Sequence, residues 1–288
     1  MTKRRIIGTL ILRDGIVVQS IGFERYLPVG RPEIAARFLD TWGIDEIVLL
    51  DITARREGRT IDPETVSRVA RAIHSPLTIG GGLSTLDDVH DVMRAGADKI
   101  AVNGLLLEKP DMLTTIAHRF GVQCIVASID VLRTDDGLHV AADGARQILD
   151  DDPVTLARRA AEAGAGEILL NAVHRDGMRT GYDLELVDMV AGAVHVPVIA
   201  LGGAGHPDHI REVLADTGAA AAAAGNFLHY TEHSVAAIKT QLVRHGLDVR
   251  LDAEADYGAL QFDDGRVSRR DERALLDEIF EIIPREVI

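Results

Sequence analysis

The sequence predicts a parallel α/β barrel of eight strand–helix units, a (β/α)8 or TIM barrel built from two half-barrel repeats. Three observations carry this. Short apolar runs alternate with helical patterns eight times before residue 250. The chain matches itself at an offset of 121 residues. The composition is aliphatic, with 47% hydrophobic residues, only 4% aromatic and 27 glycines among 288 residues. Such a mix suits buried parallel strands covered by helices.

The eight candidate strands are Ile6–Leu12, Glu46–Asp51, Leu77–Ile79, Lys99–Val102, Cys124–Asp130, Glu167–Asn171, Val198–Leu201 and Ala219–Ala224. Each is a short apolar run rich in Ile, Val, Leu or Ala, followed by a segment of helical periodicity. In Pro63–Ile73, for example, Val66, Val69, Ala70 and Ile73 recur at helical spacing, and Asp62 precedes a proline at the first helical position. Repeated strand–helix alternation demands a parallel sheet, open or closed.

The internal repeat decides for closure. Gly43, Glu46, Ile47 and Leu49 align with Gly164, Glu167, Ile168 and Leu170. Asp62, Glu64, Val66 and Val69 align with Asp183, Glu185, Val187 and Val190. His74-x-Pro76 aligns with His195-x-Pro197, and Gly81-Gly82 with Gly202-Gly203. Chance likeness between amphipathic helices would match apolar classes but not the His-x-Pro and Gly-Gly positions. The repeat spans four units, half a barrel, and is too long and too few for a solenoid.

Composition narrows the function. Lys and Arg total 31 against 45 Asp and Glu, a net charge of −14. So acidic a chain lacks the footprint of a general nucleic-acid binder. Its one cysteine, Cys124, excludes a disulfide framework and a multi-cysteine zinc site, and reads as a small core residue. The eleven histidines show no metal-ligand spacing, so neither a metal nor a cofactor is expected. No apolar run is long enough to span a membrane, and the basic start Lys3-Arg4-Arg5 leads into too short a run for a signal peptide. A cytoplasmic enzyme is the expectation.

Barrels of this kind carry their active sites at the C-terminal ends of the strands. There the sequence places Gly81 and Gly82, Asn103 and Gly104, Asp130, Asn171, Asp176 and Gly177, Gly202 and Gly203, and Gly225 and Asn226. Glycine clusters let the backbone approach a phosphate. Two of them half a barrel apart suggest a substrate phosphorylated at both ends; the structural alternative is that they only permit tight turns. Asp130, ending an apolar strand, is the candidate general acid or base. At the opposite end, Arg5, Glu46, Lys99 and Glu167 each start a strand. Pointing inward, they would form a salt-bridged ring across the barrel floor.

Taken together these residues resemble the cyclase subunit of imidazole glycerol phosphate synthase over roughly residues 4–250. The resemblance rests on Arg5-Ile6-Ile7, Gly43-Ile44-Asp45-Glu46, Leu50-Asp51-Ile52-Thr53-Ala54, Gly80-Gly81-Gly82, Gly96-Ala97-Asp98-Lys99, Ser128-Ile129-Asp130, Arg175-Asp176-Gly177, Gly181-Tyr182-Asp183 and Gly202-Gly203-Ala204-Gly205. It implies a glutaminase docked on the barrel floor that feeds ammonia past Arg5, Glu46, Lys99 and Glu167 to a doubly phosphorylated substrate. It also implies that Asp98 faces that glutaminase.

The mouth departs from the family pattern. The family's first-strand catalytic aspartate falls at Ile11, and its first-loop lysine at Gln19. Its phosphate-contacting hydroxyls after strands four and eight become Gly104 and Gly225, its serine before the second glycine pair becomes Leu201, and Asn171-Ala172-Val173-His174 replaces its sixth-strand motif. Its Thr-Gly motif after strand five is missing from Asp143–Asp152. The floor is kept and the mouth rewritten. This favours a paralogue that delivers ammonia to another acceptor, similar to the cyclase-like proteins of acetamidino-sugar and surface-polysaccharide clusters, with a sugar amidotransferase as a further partner. The alternatives are the cyclase of histidine biosynthesis itself, its sister isomerase, and a non-catalytic scaffold that only conducts ammonia.

About forty residues remain. From Leu251 the chain carries eleven acidic residues against five arginines, −6 of the −14. Ser268 is a candidate N-cap, Leu275, Leu276, Ile279, Ile282 and Ile283 share a helical face, and Pro284 stops it. The expected organisation is a barrel over 1–250 and an acidic extension over 251–288 with an amphipathic helix that docks on the barrel or on a partner.

Overall fold

The computed structural model describes residues 3–229, 231, 233–251 and 261–268. Eight parallel strands form a closed barrel: β1 (Arg5–Arg13), β2 (Glu46–Asp51), β3 (Leu77–Gly80), β4 (Lys99–Val102), β5 (Ile125–Thr134), β6 (Glu167–Ala172), β7 (Val198–Leu201) and β8 (Ala221–Ala224). Neighbours in sequence pair throughout, and β8 returns to β1 with Arg5 opposite Ala221. The half-barrel repeat is visible in the register. Ile47 sits opposite Leu77 between β2 and β3, and Ile168, 121 residues on, sits opposite Val198 between β6 and β7.

Period-two alternation sorts each strand into two cores. Ile7, Val48, Val126, Leu169, Ile199, Ala221 and Ala223 point inward and fill the barrel axis. The residues between them, such as Ile6, Ile47, Ile125, Ile168 and Val198, point outward into a second core shared with the helices. Both faces of the sheet are therefore buried, and the strands read as continuous apolar runs.

The strands alternate with α1 (Pro32–Thr41), α2 (Pro63–Ala70), α3 (Leu86–Arg94), α4 (Pro110–Phe120), α5 (Pro153–Glu162), α6 (Leu184–Ala191), α7 (Pro207–Asp216) and α8 (Ser234–Arg244). Most start with a local signal. The Asp62 carboxylate accepts the Glu64 and Thr65 N–H groups, and Thr85 and Asp88 form a reciprocal capping box. Helix α2 stops at Ala70, three residues short of its apolar pattern, although Ile73 stays buried. β5 begins one residue after Cys124. That cysteine lies half-buried in a preceding 3-10 turn, its Sγ 3.2 Å from the Phe120 carbonyl, not in the core. β8 begins at Ala221, not Ala219.

Two excursions leave the mouth. After β1 an antiparallel pair, Ile16–Ile21 and Arg25–Gly30, folds back; after β5 a second one does so, Gly137–Ala142 and Gln147–Leu149. The two strands they extend end at Arg13 and Thr134, again 121 residues apart. The half-barrel relation thus reaches the first and fifth units, beyond the segment where side chains match.

Arg4 bridges to Val249 at the end of the barrel. A short hairpin, Phe262–Asp263 with Arg266–Val267, lies against α8 and the start of α7. The Arg244 guanidinium stands 5.2 Å from the centroid of the Phe262 ring. The expected amphipathic helix that follows Ser268, with Leu275 to Pro284, lies outside the described residues.

Candidate active site

The floor is a closed ring of four charges. Arg5 Nη1 bonds Glu46, and Arg5 Nη2 reaches Glu167 at 2.7 Å. Lys99 Nζ lies 3.2 Å from Glu46 and 2.8 Å from Glu167. Each carboxylate therefore meets both cations. The four side chains keep only 9–24% of their exposure. Burial alone would raise the pKa of Glu167, but Arg5 and Lys99 overcome it and hold the carboxyl below its usual range. Burial likewise works against the Arg5 charge, and Glu46 and Glu167 outweigh it, so that its pKa is raised. Asp98 is exposed on the same end, with its Oδ2 accepting the Leu77 N–H at 2.8 Å. Above the ring, along the axis, come the inward apolar residues and then Thr9 and Ser128.

At the other end the strands open into a cavity of about 730 Å³. All twelve residues expected there line it: Gly81, Gly82, Asn103, Gly104, Asp130, Asn171, Asp176, Gly177, Gly202, Gly203, Gly225 and Asn226. Their roles differ. Asp130 lies at the base. Its Oδ1 accepts a 2.9 Å bond from Asn171 Nδ2, and its Oδ2 a 3.3 Å bond from Asn103 Nδ2. Surrounding protein raises its pKa to about 6; the Asn171 bond opposes this, and the nearby Asp176 carboxylate adds to it. A carboxyl so tuned exchanges protons near neutral pH.

The Asp176 and Asn226 side chains hold the first excursion. Ser20 Oγ donates to Asp176 at 2.6 Å, and the Phe23 N–H does so at 3.3 Å. Asn226 accepts the Ser20 N–H at 3.1 Å and donates to the Ser20 carbonyl at 2.5 Å. They shape the wall by clamping that hairpin. Gln19 is buried in the hairpin strand, while its neighbour Ser20 faces the cavity.

The glycine pairs answer to sterics first. A Cβ on Gly82 would lie 2.0 Å from the Arg59 carbonyl oxygen, and one on Gly203 2.1 Å from that of Gly181. Both have positive φ, +68° and +102°. They bring two loop backbones together, which is the structural reading of these clusters. Gly104 and Gly225 lack that constraint, since neither has positive φ.

Ile11, singled out by the sequence, lines the cavity, and so do Arg13, Arg55, Arg56 and Arg146, which carry no sequence signal. His174, in the altered sixth-strand motif, accepts the Arg133 N–H at Nδ1 (3.3 Å) and meets Asp183 through Nε2 at 3.0 Å. Burial lowers its pKa despite Asp183, so it is a neutral strut at neutral pH. Arg133 adds a two-pronged pair with Asp183, which also caps α6.

This geometry agrees with the similarities to known proteins. The sequence profile of the family described as "Histidine biosynthesis protein" matches residues 5–234. A "Putative imidazole glycerol phosphate synthase subunit hisF2" of Vibrio vulnificus is 40% identical over 265 residues, 91% of this chain and 97% of that one. "Imidazole glycerol phosphate synthase subunit HisF" of Myxococcus xanthus is 44% identical over 250 residues, 87% and 99% of the two chains. The same subunit of Streptococcus mutans is 39% identical over 251 residues, 87% and 100%. The chain belongs to the cyclase-subunit family of imidazole glycerol phosphate synthase. In this member of the family Ile11 and Asp130 both line the cavity.

Proposed function

We propose that this barrel is an ammonia-using synthase. It takes ammonia from a glutaminase subunit docked on the floor beside Asp98, admits it past Arg5, Glu46, Lys99 and Glu167, and joins it to a small phosphorylated substrate in the mouth. Asp130 moves the proton. The observation that carries the reading is the charged ring and an Asp130 of raised pKa at the two ends of one closed barrel. We take residues 1–250 as this unit and 251–288 as an appended segment.

The names of the relatives support the cyclase reaction of histidine biosynthesis more than transfer to an amidino sugar. One observation favours the second acceptor. Ile11 carries no proton and Gly104 and Gly225 carry no hydroxyl, so the mouth lacks groups that the histidine reaction uses in the family. One general acid or base is typically worth two to four orders of magnitude in rate.

The deciding experiment supplies the purified protein with ammonium and the imidazole glycerol phosphate precursor. Turnover at a rate ordinary for the family, abolished in Asp130→Asn, supports the first acceptor and sinks the second. Absent turnover, with Asp130-dependent amidination once a sugar amidotransferase is added, supports the second. Output that survives Asp130→Asn but is damaged by Lys99→Ala or Asp98→Ala leaves only an ammonia-conducting scaffold.

A further inference from the structure

Gly104 differs from the other mouth glycines. Its backbone is ordinary, and what fills its missing side chain's place is a guanidinium. A Cβ on Gly104 would lie 1.5 Å from Arg55 Nη1, 2.3 Å from its Cζ and 3.0 Å from Nη2, which are its three nearest atoms. By contrast, a Cβ on Gly225 would meet only the Thr9 carbonyl, at 3.1 Å. Arg55 lines the cavity, as do Gly80, Gly81, Gly82, Asn103 and Arg56. Its Nη2 bonds Glu108, but the pair is open, with side chains 46% and 60% exposed. Exposed ion pairs of this kind are weak and easily exchanged. The nearby Asp51 carboxylate is already held by Arg59 at 2.6 Å and by Thr53 at 2.8 Å, so it does not compete for Arg55.

We infer that Arg55 is the specificity-determining anion contact of the mouth: it leaves Glu108 to take a phosphate group of the acceptor, in the space that glycine at position 104 keeps clear. A guanidinium suits this task because its fork of N–H donors matches phosphate oxygens. The inference rests on the cavity being the substrate site, as proposed above.

The test is calorimetric titration of the full chain with inorganic phosphate at about pH 8, where phosphate is doubly charged. Arg55→Gln weakens uptake about tenfold. Glu108→Gln tightens it severalfold by releasing Arg55. Gly104→Ala pushes Arg55 aside and weakens uptake, and Arg55→Gln/Gly104→Ala is no weaker than Arg55→Gln alone. Arg55→Gln and Glu108→Gln replace exposed side chains, so they test the idea even if Gly104→Ala folds poorly. A wild-type chain that takes up no phosphate overturns the inference, as does an Arg55→Gln chain that binds like wild type, or strict additivity in the double variant. Binding is read without ammonia or acceptor. Failure of ammonia transfer therefore leaves this result standing, and loss of the Arg55 effect leaves transfer standing.

Discussion

Replacing Lys99 with methionine removes one charge from the floor ring and keeps its bulk. Glu46 and Glu167, with side chains 9% and 11% exposed, would then share the Arg5 guanidinium alone. Removing one partner from a buried ion pair typically costs about 3–5 kcal/mol. Here Arg5 remains and the ring keeps some exposure, so a cost of about 2–3 kcal/mol is expected at pH 7. For a domain of this size that lowers Tm by roughly 5–10 °C. The pH dependence gives the sign. Glu167 has a depressed folded-state pKa, so its stabilising share is present above its unfolded value, about 4.3, and is lost as pH falls through the folded one. The gap between wild type and Lys99→Met is therefore widest near neutrality and narrows in acid. Urea unfolding at pH 7 and near pH 4 reads it. Lys99→Met/Glu167→Gln restores neutrality and recovers part of the loss, giving a non-additive cycle. A loss under about 0.5 kcal/mol at pH 7, a gap that does not narrow in acid, or strict additivity refutes the view of the ring as one coupled unit.

Four further outcomes follow from the mouth. With ammonium as nitrogen source, turnover rises with pH through about 6 as Asp130 ionises, and Asp130→Asn lowers it by roughly two to four orders of magnitude, measured by product formation. In the same variant, stability gains on wild type as pH rises from about 4 to about 6, because a carboxyl of raised folded pKa binds more protons folded than unfolded across that window; parallel melts at the two pH values measure this. Gly82→Ala drives a Cβ to 2.0 Å from the Arg59 carbonyl at positive φ and costs about 2–4 kcal/mol, whereas Gly225→Ala costs less than about 1 kcal/mol, both read by urea unfolding. Asn226→Ala releases the Ser20 backbone, leaving its Oγ bond to Asp176, and makes the Ile16–Gly30 hairpin a preferred site of limited proteolysis.

The floor is more legible in the sequence than the mouth, and the reason is physical. Arg5, Glu46, Lys99 and Glu167 start strands, and period two with a parallel register turns all four toward one axis. Their partners are one another. The mouth residues take their partners from loops far away in sequence. Residue types at strand ends identify Asp176 and Asn226 as wall residues, but not Ser20 as what they hold, since Ser20 lies 156 and 206 residues from them. The excursion after β1 has a signal, Asp14-Gly15, of the kind that closes tight hairpins, whereas the one after β5 turns at Asp135-Asp136, with Gly137 already paired to Thr134. Asp14 and Gly15 both take positive φ, +52° and +79°. Arg55 carries no motif. Only the guanidinium in the space beside Gly104 singles it out.

That contrast bears on the chemistry. At the floor, charge is balanced within the ring, so no substrate charge is needed to complete it. At the mouth, Asp130 is the carboxyl whose surroundings raise its pKa to about 6, and the wall adds Arg13, Arg55, Arg56 and Arg146. A second carboxylate in place of Ile11 would add negative charge to the cavity, and by like-charge repulsion would push the Asp130 pKa higher still. Isoleucine there keeps Asp130 ionised at neutral pH and leaves the arginines to face an anion. Ile11 thus leaves Asp130 as a base beside wall arginines whose charge suits an anion.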